Sequence, residues 1–170
     1  MDTYLAIVSH RAVREYAGRA IPAEVASRIL DAGRLSGSAV NRQPWRFLIL
    51  ESAAVRERLA AMVYVPSNIQ GAALVVAVVA RGKGPIGLDC GRAAQNMMLA
   101  AWNEGVGSCP NGLADSESAS ELLGLGEEEK LQIVLSFGYP AKARDPQSRP
   151  ASDWSAGARR RPLAETVRRV

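Results

Sequence analysis

The run Ala72-Ala73-Leu74-Val75-Val76-Ala77-Val78-Val79-Ala80 decides the kind of fold open to this chain. Unbroken apolarity with so much valine is the pattern of a strand covered on both faces, and it predicts the centre of a sheet. As a helix the run would be about half the length needed to cross a bilayer. Outward from it, Arg46 to Glu51, with Phe47, Leu48, Ile49 and Leu50, predicts a second strand. Leu131 to Phe137 predicts a last central one. Helices fill the intervals. Asp2 is placed to cap one ending about Ser9, and Pro22 fits the first turn of one over 23–35 striped by Val25, Ile29 and Leu30. Ser52 can cap a helix reaching Val63, and Asp115 a brief one ending near Gly124. The longest helical stretch is 89–103, whose small apolar residues lie on more than one face and suit a core or a subunit interface. Gly105 fits its C-terminal cap. Residues 64–71 and 82–85 read as loop and turn, and 105–112 as a connection between helix and strand. Beyond Pro140 the chain is polar and proline-punctuated until Pro162–Val167, a docking turn of helix. No repeat or linker is visible, so one domain over 1–170 is expected.

Composition narrows the function. With 48% hydrophobic residues the chain is no disordered segment. A single histidine and two cysteines without CxxC spacing leave neither a protein metal centre nor a disulfide scaffold. Met1-Asp2-Thr3 lacks the basic region of an export signal, so a soluble, cytoplasmic protein outside the membrane is expected. From Arg144 onward seven arginines face only Asp145, Asp153 and Glu165, which accounts for the whole net charge of +4. Basic tails often meet nucleic acid, but this one has no aromatic interleaving apart from Trp154 and ends in a docking turn, so nucleic acid is not the expected partner.

Three segments carry chemistry. His10-Arg11-Ala12-Val13-Arg14-Glu15-Tyr16 reads either as a solvated basic helix end or as a phosphate clamp, since guanidinium forks hold phosphate oxygens in pairs. A second arginine group, Arg159-Arg160-Arg161, favours the clamp, because two like clusters repel unless an anion lies between them. Ser38-Ala39-Val40-Asn41-Arg42-Gln43-Pro44-Trp45 reads either as an ordinary helix-to-strand loop or as one whose amides meet the edge of a flat heterocycle. The small residues of Gly105–Gly112 permit close backbone approach to a planar ligand. A thiol mechanism at Cys109 would need the sole His10 as its base, and nothing basic is expected in its vicinity to lower its pKa.

At these residues the chain resembles the nitroreductase family of flavin enzymes, whose opening is Arg-Arg-Ser-x-Arg-x-Phe/Tyr and whose second signature is Ser-x-x-Asn-x-Gln-Pro-Trp. Asp89-x-Gly91-x-Ala93-x-Gln95-Asn96-Met97 matches a further family segment, the helix of the dimer core. The resemblance implies an α+β fold, a three-layer α/β/α arrangement with a mainly antiparallel central sheet and a C-terminal tail extended onto the partner subunit. It implies FMN as cofactor, NADH or NADPH as co-substrate, and a homodimer with shared active sites. His10, Arg11, Ala12, Arg14, Arg159 and Arg161 would hold the cofactor at its phosphate end, and Ser38, Ala39 and Asn41 would reach the flavin of the other subunit. Ser108, Cys109 and Pro110 would lie along the ring, with Gln43 and Trp45 keeping the loop in shape. No side chain is assigned a catalytic role, because the chemistry falls to the flavin. The expected reaction is ping-pong hydride transfer to nitroaromatics, quinones or similar planar electrophiles; a non-catalytic flavin-binding protein and a basic-tail interaction module are the alternatives. The chain departs from the family opening in two places. His10 stands for the first arginine, and Ala12 removes a hydroxyl.

Overall fold

The computed structural model describes all 170 residues, in two units: Met1–His10 with Asp145–Val170, and Arg11–Arg144. Three helix starts obey one local rule, a side-chain oxygen capturing a free N–H of the first turn. Asp2 accepts from the Leu5 N–H at 2.9 Å and opens α1 (Thr3–Ser9). In the larger unit α2 (Ala23–Arg34) follows Pro22, which stands just before the first turn and not inside it. Ser52 accepts from the Val55 N–H at 3.4 Å and opens α3 (Ala53–Ala60). Next come α4 (Ser67–Gln70) and α5 (Ile86–Asn103), and then α6 (Ser116–Leu122), which Asp115 caps through the Ser118 N–H at 3.0 Å. Gly105, just past α5, has φ +73°, a left-handed turn that glycine adopts without steric cost.

The strands are β1 (Trp45–Ile49), β2 (Leu74–Arg81), β3 (Gly107–Asn111) and β4 (Glu129–Gly138). They form one sheet in the order β1-β2-β4-β3 with every pair antiparallel. The valine-rich run is β2, an inner strand whose residues Val75 to Ala80 expose no surface. Val76, Val78 and Ala80 face α2 and α5, while Val75, Ala77 and Val79 face the core that contains Leu59, Ile69 and Ala119 of α3, α4 and α6. The result is the three-layer arrangement implied by the sequence. The register of β4 slips at Gln132, so that Val78 pairs with Ile133 and Val79 with Leu131. That bulge puts Leu131 and Val134 in one core and Leu135 and Phe137 in the other.

Local structure departs from the sequence reading at points besides Pro22: α3 stops at Ala60, short of the expected Val63, and α7 (Ala151–Ala156) forms in the stretch read as polar and proline-punctuated. Residues 107–111 form β3, not a plain connection; its composition carries no strand signal, and Pro110 is tolerated because the strand lies at the sheet's edge. The loop 64–71 contains the single turn α4, and α5 starts at Ile86, ahead of the expected Asp89.

The segment after α1 is fastened across the end of the sheet. Gly107 and Gly138 pair between β3 and β4. A Cβ on Gly107 would stand 2.6 Å from the Cβ of Val13, and one on Gly138 would stand 2.7 Å from Cδ1 of Tyr16. The Val13 N–H donates to the Ser108 carbonyl at 2.9 Å, and Tyr16 forms a bridge with Pro140. In the smaller unit, α7 (Ala151–Ala156) packs on α1 and α8 (Leu163–Thr166) is the predicted terminal turn. Trp154 donates through Nε1 to the Pro146 carbonyl at 2.9 Å, with the Arg149 guanidinium 3.6 Å above its ring.

Gly107→Ala should cost about 1–3 kcal/mol, the price of overpacking a closed contact. Urea denaturation measures it; an unchanged midpoint would show that Val13 yields freely.

Candidate functional site

His10 ends α1 as its C-cap and closes the first part of the smaller unit, while Arg11 begins the larger one. Arg11 and Ala12 are half-buried, Val13 is buried against Gly107, and Arg14 is exposed. Contrary to the expectation that nothing basic lies near Cys109, the Arg14 guanidinium sits beside its thiol on β3, brought there by the crossing of distant segments. The structure thus joins the opening motif to the Ser108–Pro110 segment, which sequence order keeps far apart.

Behind this junction lies a buried polar network. Asn111 donates through Nδ2 to the carbonyls of Cys109 at 3.0 Å and Val134 at 3.1 Å, and to Ser136 Oγ at 3.1 Å. Its Oδ1 accepts from Asn68 Nδ2 at 2.9 Å, and the Tyr16 hydroxyl is 3.0 Å from Ser136 Oγ. Asn68 is only 3% exposed, yet its Oδ1 has no hydrogen-bond partner. Leaving a buried acceptor unmade costs about 1–3 kcal/mol, so this atom is available to accept an N–H. Sequence reading missed Asn68 because it falls in the stretch taken as loop; only its amide chemistry distinguished it there.

The second motif is a tight loop around a turn at Ala39–Asn41. Val40, Asn41 and Gln43 have φ values of +46°, +54° and +48°, and for β-branched Val40 that geometry is strained. Four bonds hold it. The Gln43 N–H donates to Ser38 Oγ at 2.8 Å, and the Ala39 N–H to the carboxylate of buried Asp89 at 3.3 Å. Arg42 donates to the carbonyls of Ala39 at 3.3 Å and Lys83 at 2.9 Å. Gln43 is therefore part of the scaffold, while Val40 at the tip is 94% exposed. Trp45 opens β1 and packs on the α2–α5 core.

In β3, Ser108 and Cys109 are buried and Pro110 is exposed. Burial pushes the Cys109 thiol up and Arg14 pulls it partly back, leaving it raised. Burial, reinforced by Asp89, pushes Cys90 up to about 11, and burial pushes Tyr16 up to about 12. Arg159 and Arg161 are exposed residues of the smaller unit, Arg159 with φ +50°.

Both thiols are held neutral, so a thiol reagent at pH 8 should label neither in the native protein and both in denaturant. The unfolded state ionises Cys90 near its ordinary 9.0 and the native state only near 11, so stability should fall as pH rises between them. Urea midpoints across that range measure the fall; a flat profile would refute the burial of Cys90.

A model of the Nitroreductase family matches residues 7–84 and 86–139. Over 149 residues the chain is 31% identical to an Archaeoglobus fulgidus protein named "Putative NADH dehydrogenase/NAD(P)H nitroreductase", covering 82% of this chain and 86% of that one. The crystal structure of a "putative nitroreductase in complex with FMN" from Desulfovibrio desulfuricans matches with a TM-score of 0.82 at 26% identity, covering 98% of this chain and 96% of that one. The NADPH:FMN oxidoreductase of Vibrio harveyi, solved with NAD+, shares the fold with a TM-score of 0.82 at 22% identity, covering 96% and 75%. With both signature segments placed as described and the family match running through the whole sheet, this chain belongs to the nitroreductase family.

Proposed function

We propose that this chain is an FMN-dependent oxidoreductase, one domain over 1–170, that takes a hydride from NADH or NADPH and delivers it by a ping-pong cycle to nitroaromatics, quinones or similar planar electrophiles. Family membership and the names of its relatives support the reaction class. The observation that carries the cofactor is Asn68 Oδ1, a buried acceptor without a donor close to Cys109 and the opening motif. The pyrimidine edge of a flavin presents an N–H of the kind this atom lacks.

Bound FMN would supply the redox chemistry, accepting a hydride from the nicotinamide and returning it to the acceptor. Everything else falls to binding and electrostatics. Asn68 orients the ring edge, and Arg14 sets positive charge beside the same segment, favouring negative charge added there. His10, Arg11, Arg159 and Arg161 are assigned to the phosphate end, with Ala12 contributing backbone groups only; Arg14, expected there, is assigned instead to the ring edge beside Cys109. Pro110 is the accessible member of the Ser108–Pro110 wall, and Cys109, buried and protonated, is no nucleophile.

The proposed assembly is a homodimer in which Ser38, Ala39 and Asn41 reach the flavin of the second subunit and the C-terminal tail crosses onto it. Val40, strained and 94% exposed at the loop tip, and Leu88, 67% exposed on α5, are the kind of apolar surface that a second subunit covers.

The purified protein should be yellow, or turn yellow with added FMN, and should bleach anaerobically with NADH or NADPH. A colourless protein that refuses FMN ends the proposal, and colour that neither nucleotide bleaches reduces it to flavin binding without turnover. Arg11→Ala and Arg161→Ala should each weaken FMN binding by about 1.5–3 kcal/mol, read by flavin fluorescence. Sedimentation should give a dimer; a monomer that retains FMN would contradict shared sites.

A further inference from the structure

Past the opening motif the chain turns at Gly18, whose φ of +67° is left-handed, and Arg19 lies with its guanidinium 3.8 Å from the centre of the Tyr139 ring. Arg56 of α3 is fixed differently. Its Nε donates to the Leu50 carbonyl and its Nη1 to the Ala72 carbonyl at 3.2 Å, which ties it to the chain after β1 and the chain before β2. The two arginines line one cleft of about 330 Å³, together with Tyr16, Ile21, Gly71 and Ala72 among others. No carboxylate lines it, and neither arginine enters the ion pairs of the structure, which engage Arg28, Arg34, Arg46 and Arg81.

Stacking on an aromatic ring fixes the plane of a guanidinium without using its N–H groups, and Arg56 spends only part of its donors on the two carbonyls. Both forks are therefore oriented and still able to donate. Two cations lining one cleft repel, and an anion shared between them removes that repulsion. The forks match the paired oxygens of a carboxylate, while Ile21 and Ala72 offer apolar wall to whatever carries it. Gly71 supplies the room. Its φ of −84° and ψ of −4° suit any residue, and a Cβ there would meet only ordinary contacts, the Ser67 carbonyl at 3.6 Å and Cδ2 of Tyr16 at 3.8 Å. A longer side chain at that position would take up space in the cleft.

We propose that Arg19 and Arg56 form a binding site for a small organic monocarboxylate with an apolar body, separate from the site assigned to the flavin. Tyr16 joins the two places. It lines the cleft, and its hydroxyl is 3.0 Å from Ser136 Oγ in the network that runs through Asn111 to Asn68. A carboxylate held here bears on the tyrosine that braces that network, and it needs no flavin in order to bind.

The test titrates benzoate into the full chain by calorimetry at constant ionic strength, with the protein as purified and again with FMN added to excess. Benzoate should bind saturably in both preparations. Benzamide, which keeps the ring and loses the charge, and inorganic phosphate, which keeps charge and loses the apolar body, should each bind about tenfold more weakly or worse, the scale of one charged hydrogen bond. Arg19→Gln should lose about tenfold of the benzoate affinity, and Arg19→Lys should recover part of it. Because Arg19 is exposed, these variants should melt where the wild type does. Gly71→Leu should remove binding with both arginines in place. Benzoate affinity unchanged in Arg19→Gln and Gly71→Leu overturns the site, as does displacement of benzoate by FMN or equal binding of benzamide or phosphate. A protein that takes no flavin yet binds benzoate through Arg19 upholds the site and ends the flavin reading instead.

Discussion

The approach of Val13 and Tyr16 to the paired glycines Gly107 and Gly138 is the contact on which the site depends. Neither glycine needs an unusual backbone there; what each supplies is room. Without a Cβ on either strand, the segment after α1 lies down on the sheet end and the Val13 N–H reaches the Ser108 carbonyl. Because the segment is extended, Val13 turns into the core and Arg14 comes beside Cys109. The same crossing pairs Tyr16 with Pro140. A methyl group at either glycine would press on Val13 or Tyr16 and so on the segment that carries Arg14.

Under that crossing the protein accepts a polar network in an otherwise apolar sheet. Asn111 uses both amide hydrogens and its oxygen, and Ser136 ties it to Tyr16. A network satisfied this fully is rigid, since breaking any member strands another in a low-dielectric interior. Asn68 Oδ1 is its single open position, and it lies next to the cysteine that Arg14 faces. Rigidity and one acceptor without a donor are what the proposed orientation of a planar ligand requires.

The loop at Ser38–Gln43 solves a different problem. Its left-handed residues are not glycines, so the geometry is imposed from outside, by the Asp89 carboxylate at the head of α5 and by Arg42 on the neighbouring turn. That cost is met by packing and hydrogen bonds elsewhere in the unit. It leaves Val40 projecting, an arrangement that makes sense for a loop built to be met by another surface.

Caps and central strands were legible because their signals are local: Asp2, Ser52 and Asp115 each sit beside the N–H they capture, and β2 announces its burial in every residue. The family was legible for a related reason, since its signatures are contiguous. What stayed hidden depends on pairing partners. Gly107–Asn111 is a strand only because β4 lies beside it, and the slip at Gln132 is a property of two strands, visible in neither alone. Asn68 gained meaning only when the fold set it beside Cys109 and Asn111. The sequence determined the elements, the layers and the chemical class, because propensity, capping and motif spacing act over a few residues. The tertiary structure alone decided which charge faces Cys109 and which buried amide oxygen lacks a donor, because those depend on contacts between segments distant in the chain.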